Sequence, residues 1–260
     1  MEVINSKDKI MIQTNLLTKY FGTVKAVDEL NLNIPQGATY GLLGPNGSGK
    51  TTTVRMLNGI IKPTSGEAFI DGHDVKKNID HIKLISGFLP ESPGVYEKLS
   101  CVEFLEFIGE LYSMPRHVLK TRIDELIELF ELKGRENDLL EGYSRGMKQK
   151  VCLMSAIIHD PKVIFLDEPT SNLDPEASYM VRDLILQLAR KADKTIFLCT
   201  HLLKHAQDMC DVIGIIKKGK LIIQGSPAEI ISKMKAKDLE DAYLKIMGQV
   251  HEEDLLEWRK

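Results

Sequence analysis

Chemistry is concentrated first in a run of eight residues, Gly44-Pro45-Asn46-Gly47-Ser48-Gly49-Lys50-Thr51, which combines three glycines, a lysine and two hydroxyls and continues into Thr52. The apolar stretch Ala38-Thr39-Tyr40-Gly41-Leu42-Leu43 precedes it, and helical spacing of Val54, Leu57 and Ile61 follows, so the run reads as a loop between a strand and a helix over Thr51 to Ile60. Glycines let such a loop curl until successive N–H groups aim at phosphate oxygens, which a Cβ would obstruct. Lys50 then neutralises charge on the β- and γ-phosphates, and the Thr51 hydroxyl ligates Mg²⁺. The helix adds the partial positive charge of its N-terminus.

A second grouping, Val163-Ile164-Phe165-Leu166-Asp167-Glu168, reads as an apolar strand that delivers two acids at its C-terminal end, where open α/β sheets place their ligands. Asp167 is suited to hold Mg²⁺, directly or through water, and Glu168 to polarise the water that attacks the γ-phosphate.

The elements that must position these groups can be read around them. From Ile10 to about Ile34, alternating residues interrupted at Tyr20-Phe21-Gly22 and closed by Pro35-Gln36-Gly37 predict short antiparallel strands. Ser100 and Glu103 form a capping box for a helix with Val102, Leu105, Ile108 and Leu111 on one face, ended by Pro115. A second amphipathic helix carries Leu119, Ile123, Leu126, Ile127 and Phe130. After Pro161, strands at Val163-Ile164-Phe165-Leu166 and Thr195-Ile196-Phe197-Leu198 flank a helix with Asp174 as N-cap and Pro175 at its first position. Val212 to Ile216 and Leu221 to Gln224 read as two more strands turning at Lys218-Gly219-Lys220, before a helical tail opened by Pro227.

The expected fold is α/β: a mainly parallel sheet, an antiparallel β subdomain at the N-terminus and an inserted α-helical subdomain. Residues 1–89 and 162–226 would form the core, 90–161 the helical subdomain and 227–260 the tail.

Composition narrows the partners. Of 260 residues, 43% are apolar and 27% charged, and 34 basic residues against 37 acidic ones give a formal net charge of −3. That is an ordinary globular composition without the basic footprint of a nucleic-acid binder. The N-terminus has no secretory pattern and no apolar run approaches the roughly 20 residues a membrane helix needs, so a membrane role is expected to come through a partner. Cys101, Cys152, Cys199 and Cys210 lack C-x-x-C spacing and sit in apolar stretches, which suits reduced, buried thiols.

Between the two acid- and phosphate-directed motifs lies Tyr143-Ser144-Arg145-Gly146-Met147-Lys148-Gln149. Ser144 is a good N-cap and Gly146 permits close approach, so this helix start can offer N–H groups and a hydroxyl to a phosphate. With the P-loop over Gly44 to Thr51 and the Walker B strand ending at Asp167-Glu168, the segment resembles the signature of the ABC ATPase family, usually Leu-Ser-Gly-Gly-Gln. The resemblance spans nearly the whole chain. It implies that Ser144 and Gly146 contact ATP held by an opposite subunit, that Tyr20 stacks on adenine, that Ser171-Asn172-Leu173-Asp174 is the D-loop crossing a dimer interface, and that His201 senses the γ-phosphate.

Glu91, Arg145 and Met147 depart from the commonest family pattern, which has glutamine, glycine and glutamine there. A carboxylate at Glu91 can still bind Mg²⁺ or the attacking water through an oxygen, while adding negative charge beside the phosphates. These variants resemble the branch associated with drug, antibiotic, sodium or unidentified-substrate export.

What the resemblance implies is an ATPase that uses ATP and Mg²⁺ and works as a dimer with a second copy or a paralogue. It would sit at the cytoplasmic face of the membrane through a separate transmembrane permease and bind no nucleic acid. A non-transport ABC ATPase acting on ribosomes or DNA is the alternative. The single P-loop, the single signature and the lack of a long heptad run stand against it.

Overall fold

A computed structural model describes residues 9–92, 94–171 and 173–248. In chain order the elements are β1 Ile10–Phe21, β2 Val24–Pro35, β3 Thr39–Leu43, α1 Lys50–Leu57, β4 Ser65–Ile70, β5 His73–Asp74, α2 Ile79–Ile85, β6 Ser86–Leu89, α3 Cys101–Leu111, α4 Arg116–Leu129 and α5 Arg145–Ile157. They continue with β7 Val163–Asp167, α6 Pro175–Lys191, β8 Thr195–Thr200, α7 Leu203–Met209, β9 Val212–Lys217, β10 Lys220–Gly225, α8 Pro227–Lys233 and α9 Leu239–Met247. Asn172 of the expected D-loop and the tail from Val250 to Lys260 lie outside the described residues.

Two sheets organise the chain: a four-stranded one in the order β2-β1-β4-β5 and a six-stranded one in the order β10-β9-β3-β8-β7-β6. In the larger sheet β6, β7, β8, β3 and β9 pair in parallel and only β10 runs against its neighbour. Every residue of β3, β7 and β8 is buried, which is why these strands read as continuous apolar runs rather than alternating ones.

The N-terminal strands are longer than the sequence suggested, each spanning 12 residues. The expected breaks are the turn at Gly22 and the end of β2 at Pro35, and the strands run through to them by way of bulges. Leu16 and Glu29 adopt φ of 49° and 52°, and the ladder's missing bonds are made by side chains: Leu16 N–H donates to Asn31 Oδ1 and Glu29 N–H to Thr18 Oγ1.

Helix boundaries also move. α1 starts at Lys50 and stops at Leu57, short of the expected Ile60, because the Asn58 amide turns back onto the Val54 carbonyl and Gly59 takes φ 64°. The helix expected to run to Pro115 ends at Leu111. Ser113 reverses the chain at φ 55° and Pro115 instead opens α4. Gly109 is what lets the two helices meet, since a Cβ there would lie 2.2 Å from Leu119 Cδ1. The Ser100–Glu103 capping box and the Asp174 cap with Pro175 form as the sequence predicts.

Two apolar clusters hold these parts together. One joins β1, β2 and β4 to α1 and one face of the large sheet, around Tyr40, Phe165 and Phe197. The other joins the opposite face to α3, α4, α5, α6 and the C-terminal helices, around Phe104, Phe130, Leu153 and Leu166. The four cysteines are free and buried within this packing. Burial pushes the Cys101 and Cys152 thiols up to about 12, as expected of inert thiols.

Candidate functional site

Strand register brings three C-terminal ends side by side: Leu43 of β3 is level with Thr200 of β8, and Asp167 of β7 with Cys199. The glycine loop leaves β3, the acid pair leaves β7 and His201 leaves β8 at this one edge of the sheet.

The loop is held from beneath by the β9–β10 turn, whose Gly219 N–H donates to the Ser48 carbonyl at 2.9 Å. Gly49 enters α1 at φ 111°, and a Cβ there would lie 2.4 Å from the Ala26 carbonyl oxygen, so the position demands glycine twice over. α1 has no side-chain cap and no acid in its first turn, leaving its positive end available to an anion.

A cleft of about 480 Å³ opens over this end, lined by Phe21, Ala26, Asn46, Gly47, Ser48, Gly49, Lys50, Thr51, Thr52, Glu91 and Glu168. Lys50 is 6% exposed. Its Nζ donates to the Gly44 carbonyl at 2.8 Å and the Pro45 carbonyl at 3.4 Å and stands 3.5 Å from Glu168 Oε1. His201 Nδ1 lies 3.0 Å from the same oxygen, and the His201 backbone N–H faces Glu168 Oε2 at 3.4 Å. Glu168 itself takes φ 52°, fixed by its N–H donating to the Cys199 carbonyl at 2.9 Å. A non-glycine residue in that region is a strained one, held by its surroundings.

Asp167 is 1% exposed and, among the described residues, neither carboxylate oxygen has a hydrogen-bond partner. Burial pushes its carboxyl above the usual range, Glu91 and Glu168 add to the effect, and Thr51 and Lys50 oppose it. The Ser48 hydroxyl is likewise buried without a partner among the described residues. Orphaned hard oxygens beside a threonine hydroxyl are a donor set that fits Mg²⁺.

Of the residues singled out from sequence, the structure brings together the loop Gly44 to Thr52, Glu91, Asp167, Glu168 and His201. It does not bring Tyr20 to the cleft: Phe21 lines it instead, while the Tyr20 ring lies under Lys25 Nζ at 5.3 Å. The aromatic pair before Gly22 was visible in the sequence; which member faces the loop was not.

Ser144 and Gly146 lie elsewhere on the chain. Ser144 caps α5 by accepting the Met147 N–H, and Gly146 packs on α6, where a Cβ would lie 3.3 Å from Ala177. Together with Met147, Asp174 and Met180 they line a separate cleft of about 520 Å³ that shares no residue with the first. Gln149, which sequence reasoning left without a role, ties the two regions together by donating Nε2 to the Pro169 carbonyl just beyond Glu168.

Comparison with known proteins places this arrangement. A family model described as ABC transporter matches residues 27–171. The chain is 40% identical over 230 residues to the bacitracin transport ATP-binding protein BcrA of Bacillus licheniformis, covering 88% of this chain and 74% of that protein. It is 36% identical over 231 residues to the daunorubicin/doxorubicin resistance ATP-binding protein DrrA of Streptomyces peucetius, covering 89% and 70%. A dimeric ATP-binding cassette in a post-hydrolysis state bound to ADP and Pi superposes with a TM-score of 0.75 at 26% identity, covering 83% of this chain and 98% of that one. A glycine loop, a buried lysine and an acid pair converging at one sheet edge, on a fold and a sequence shared with these proteins, make this chain a member of the ABC transporter ATP-binding family and an ABC-type ATPase.

Proposed function

We propose that this chain drives transport, in the export direction, through a separate membrane-spanning permease, by closing head-to-tail with a second copy or a paralogue around two Mg-ATP molecules. The observation that carries this reading is the separation of the Lys50 cleft from the Ser144 helix end. One subunit holds two half-sites that cannot meet within the chain, and a second subunit completes each.

In this reading the loop from Gly44 to Thr52 cradles the phosphates, with Lys50 neutralising the β- and γ-phosphates. Thr51, Asp167 and Glu91 would hold Mg²⁺, which supplies charge neutralisation on the γ-phosphate when bound. Phe21, rather than Tyr20, is the aromatic positioned to stack on the base. Glu168 polarises the attacking water and His201 keeps its carboxylate aimed. Ser144 and Gly146 seal the triphosphate from the other subunit.

The helical segment 90–161 would act as a unit against the core 1–89 and 162–226, with 227–260 as an appended tail. At its junction with the core, a groove of about 590 Å³ is lined by Ile60, Leu84, Phe88, Ile108, Leu111 and Tyr112. Ile60, Leu84 and Leu111 are more than half exposed, at 54%, 55% and 66%. An apolar groove of this kind suits a helix presented by the permease. Among the described residues no helix is long and apolar enough to cross a membrane, so attachment to the cytoplasmic face would come through that partner. Co-purification from membranes with a multi-span protein, lost on Leu84→Glu and Leu111→Glu replacement, is the expected result. Co-sedimentation with ribosomes would overturn the transport reading.

A further inference from the structure

The charges around the triphosphate cleft do not balance. Glu91 and Glu168 line it beside Lys50 and Thr51, and Asp167 lies buried one residue before Glu168 with both oxygens unpartnered. Lys50 is the cation that reaches this group, 3.5 Å from Glu168. Formally, among the described residues, three carboxylates face one ammonium and the uncapped N-terminus of α1 where the proposed polyanion would enter. Asp167 and Glu168 are buried and committed, whereas Glu91 is exposed on the cleft wall, and among the described residues no side chain pairs with it. Its field reaches Asp167, whose carboxyl it pushes upward.

We propose that Glu91 is a specificity-determining residue of this cleft: its carboxylate makes entry of a nucleoside triphosphate conditional on a divalent cation carried with it, so that the chelated form is accepted and the metal-free polyanion refused. The inference rests on the nucleotide reading of the cleft given above. Repulsion from a fixed charge scales with the charge that approaches. Metal-free ATP brings about four negative charges and its magnesium chelate about two, and the chelate also presents cationic surface to a carboxylate. A neutral amide at position 91 would repel neither form. Buried Asp167 supplies the standing demand for a cation that Glu91 enforces from the wall. Because Glu91 is exposed, water and salt screen its effect, which sets the expected discrimination at about tenfold rather than the much larger figure of a buried charge.

The test is calorimetric or fluorescent titration of ATP into the full chain, once with excess Mg²⁺ and once with EDTA, for the wild type, Glu91→Gln, Glu91→Ala and Lys50→Ala. Glu91→Gln and Glu91→Ala should each tighten metal-free ATP by about tenfold and weaken Mg-ATP, Glu91→Ala more than Glu91→Gln because Glu91 is among the groups that would hold the cation, so the preference for the chelate narrows from both sides. The gain in metal-free binding should shrink as salt is raised to about 1 M. Equal metal-free affinities in wild type and both Glu91 variants, with Mg-ATP binding still dependent on Lys50, would overturn the role of Glu91 alone. Mg-ATP binding indifferent to Lys50→Ala would instead overturn the nucleotide reading of the cleft.

Discussion

Glu168 and His201 approach each other at two points. The imidazole Nδ1 stands 3.0 Å from Oε1, while the His201 backbone N–H faces Oε2 at 3.4 Å. With Lys50 3.5 Å from Oε1 and the strained φ of 52° at Glu168, the carboxylate has little freedom left. It is aimed before any substrate arrives, the condition for general-base action.

Replacing this carboxylate with an isosteric amide removes the base and keeps the contacts that orient it. Glu168→Gln is expected to bind ATP normally, to lose phosphate release by at least about a hundredfold, and to accumulate an ATP-bound dimer detectable by light scattering. Hydrolysis at the wild-type rate would remove Glu168 from the base role.

Lys50 is buried between two carbonyls and a carboxylate, so its loss deprives the phosphates of their cation and leaves Glu168 with less compensation. Lys50→Ala is expected to weaken Mg-ATP binding by about a hundredfold, on the order of 3 kcal/mol, in equilibrium titration.

Phe21 faces the cleft and Tyr20 does not. Phe21→Ala should weaken ATP binding by about tenfold, the scale of one lost base–aromatic stack, whereas Tyr20→Ala should change it by less than about twofold. Equal losses would mean that neither ring is the stacking platform.

His159 offers a prediction about acid stability. Its ring stacks on Tyr112 with centroids 3.7 Å apart, and Nε2 lies 3.1 Å from the Ser86 carbonyl. Burial, helped by Lys194 and opposed by the Ser86 carbonyl and Asp160, pushes it down to about 4 from 6.5. The unfolded chain therefore binds this proton at higher pH than the native one does. Stability from the neutral ring is full above pH 6.5 and is lost as pH falls toward about 4. Urea titrations across that window should show a shallower decline for His159→Gln than for wild type, by the contribution of one titrating proton.

Local sequence was enough to point to the candidate phosphate- and metal-binding groups and to the strands and helices beside them. The glycine loop, Lys50, Thr51 and the Asp167-Glu168 pair were legible because their spacing and flanks are local: a buried strand, a turn only glycine can make, a helix start. The Ser100 and Asp174 caps were legible for the same reason, since a cap acts within one helical turn. Tertiary structure decided what depends on register and on distant neighbours. Bulges between Thr14 and Tyr20 shift the β1 ladder against β2, so counting alternate residues cannot say which of Tyr20 and Phe21 faces the cleft. α3 ends at Leu111 where Ser113 turns at φ 55°, and the close packing of Gly109 on Leu119 beyond that turn is reported by no local signal. That Ser144 and Lys50 line separate clefts emerges only once the helices and the sheet are assembled, because it depends on how α5 packs on α6 rather than on anything within one helical turn.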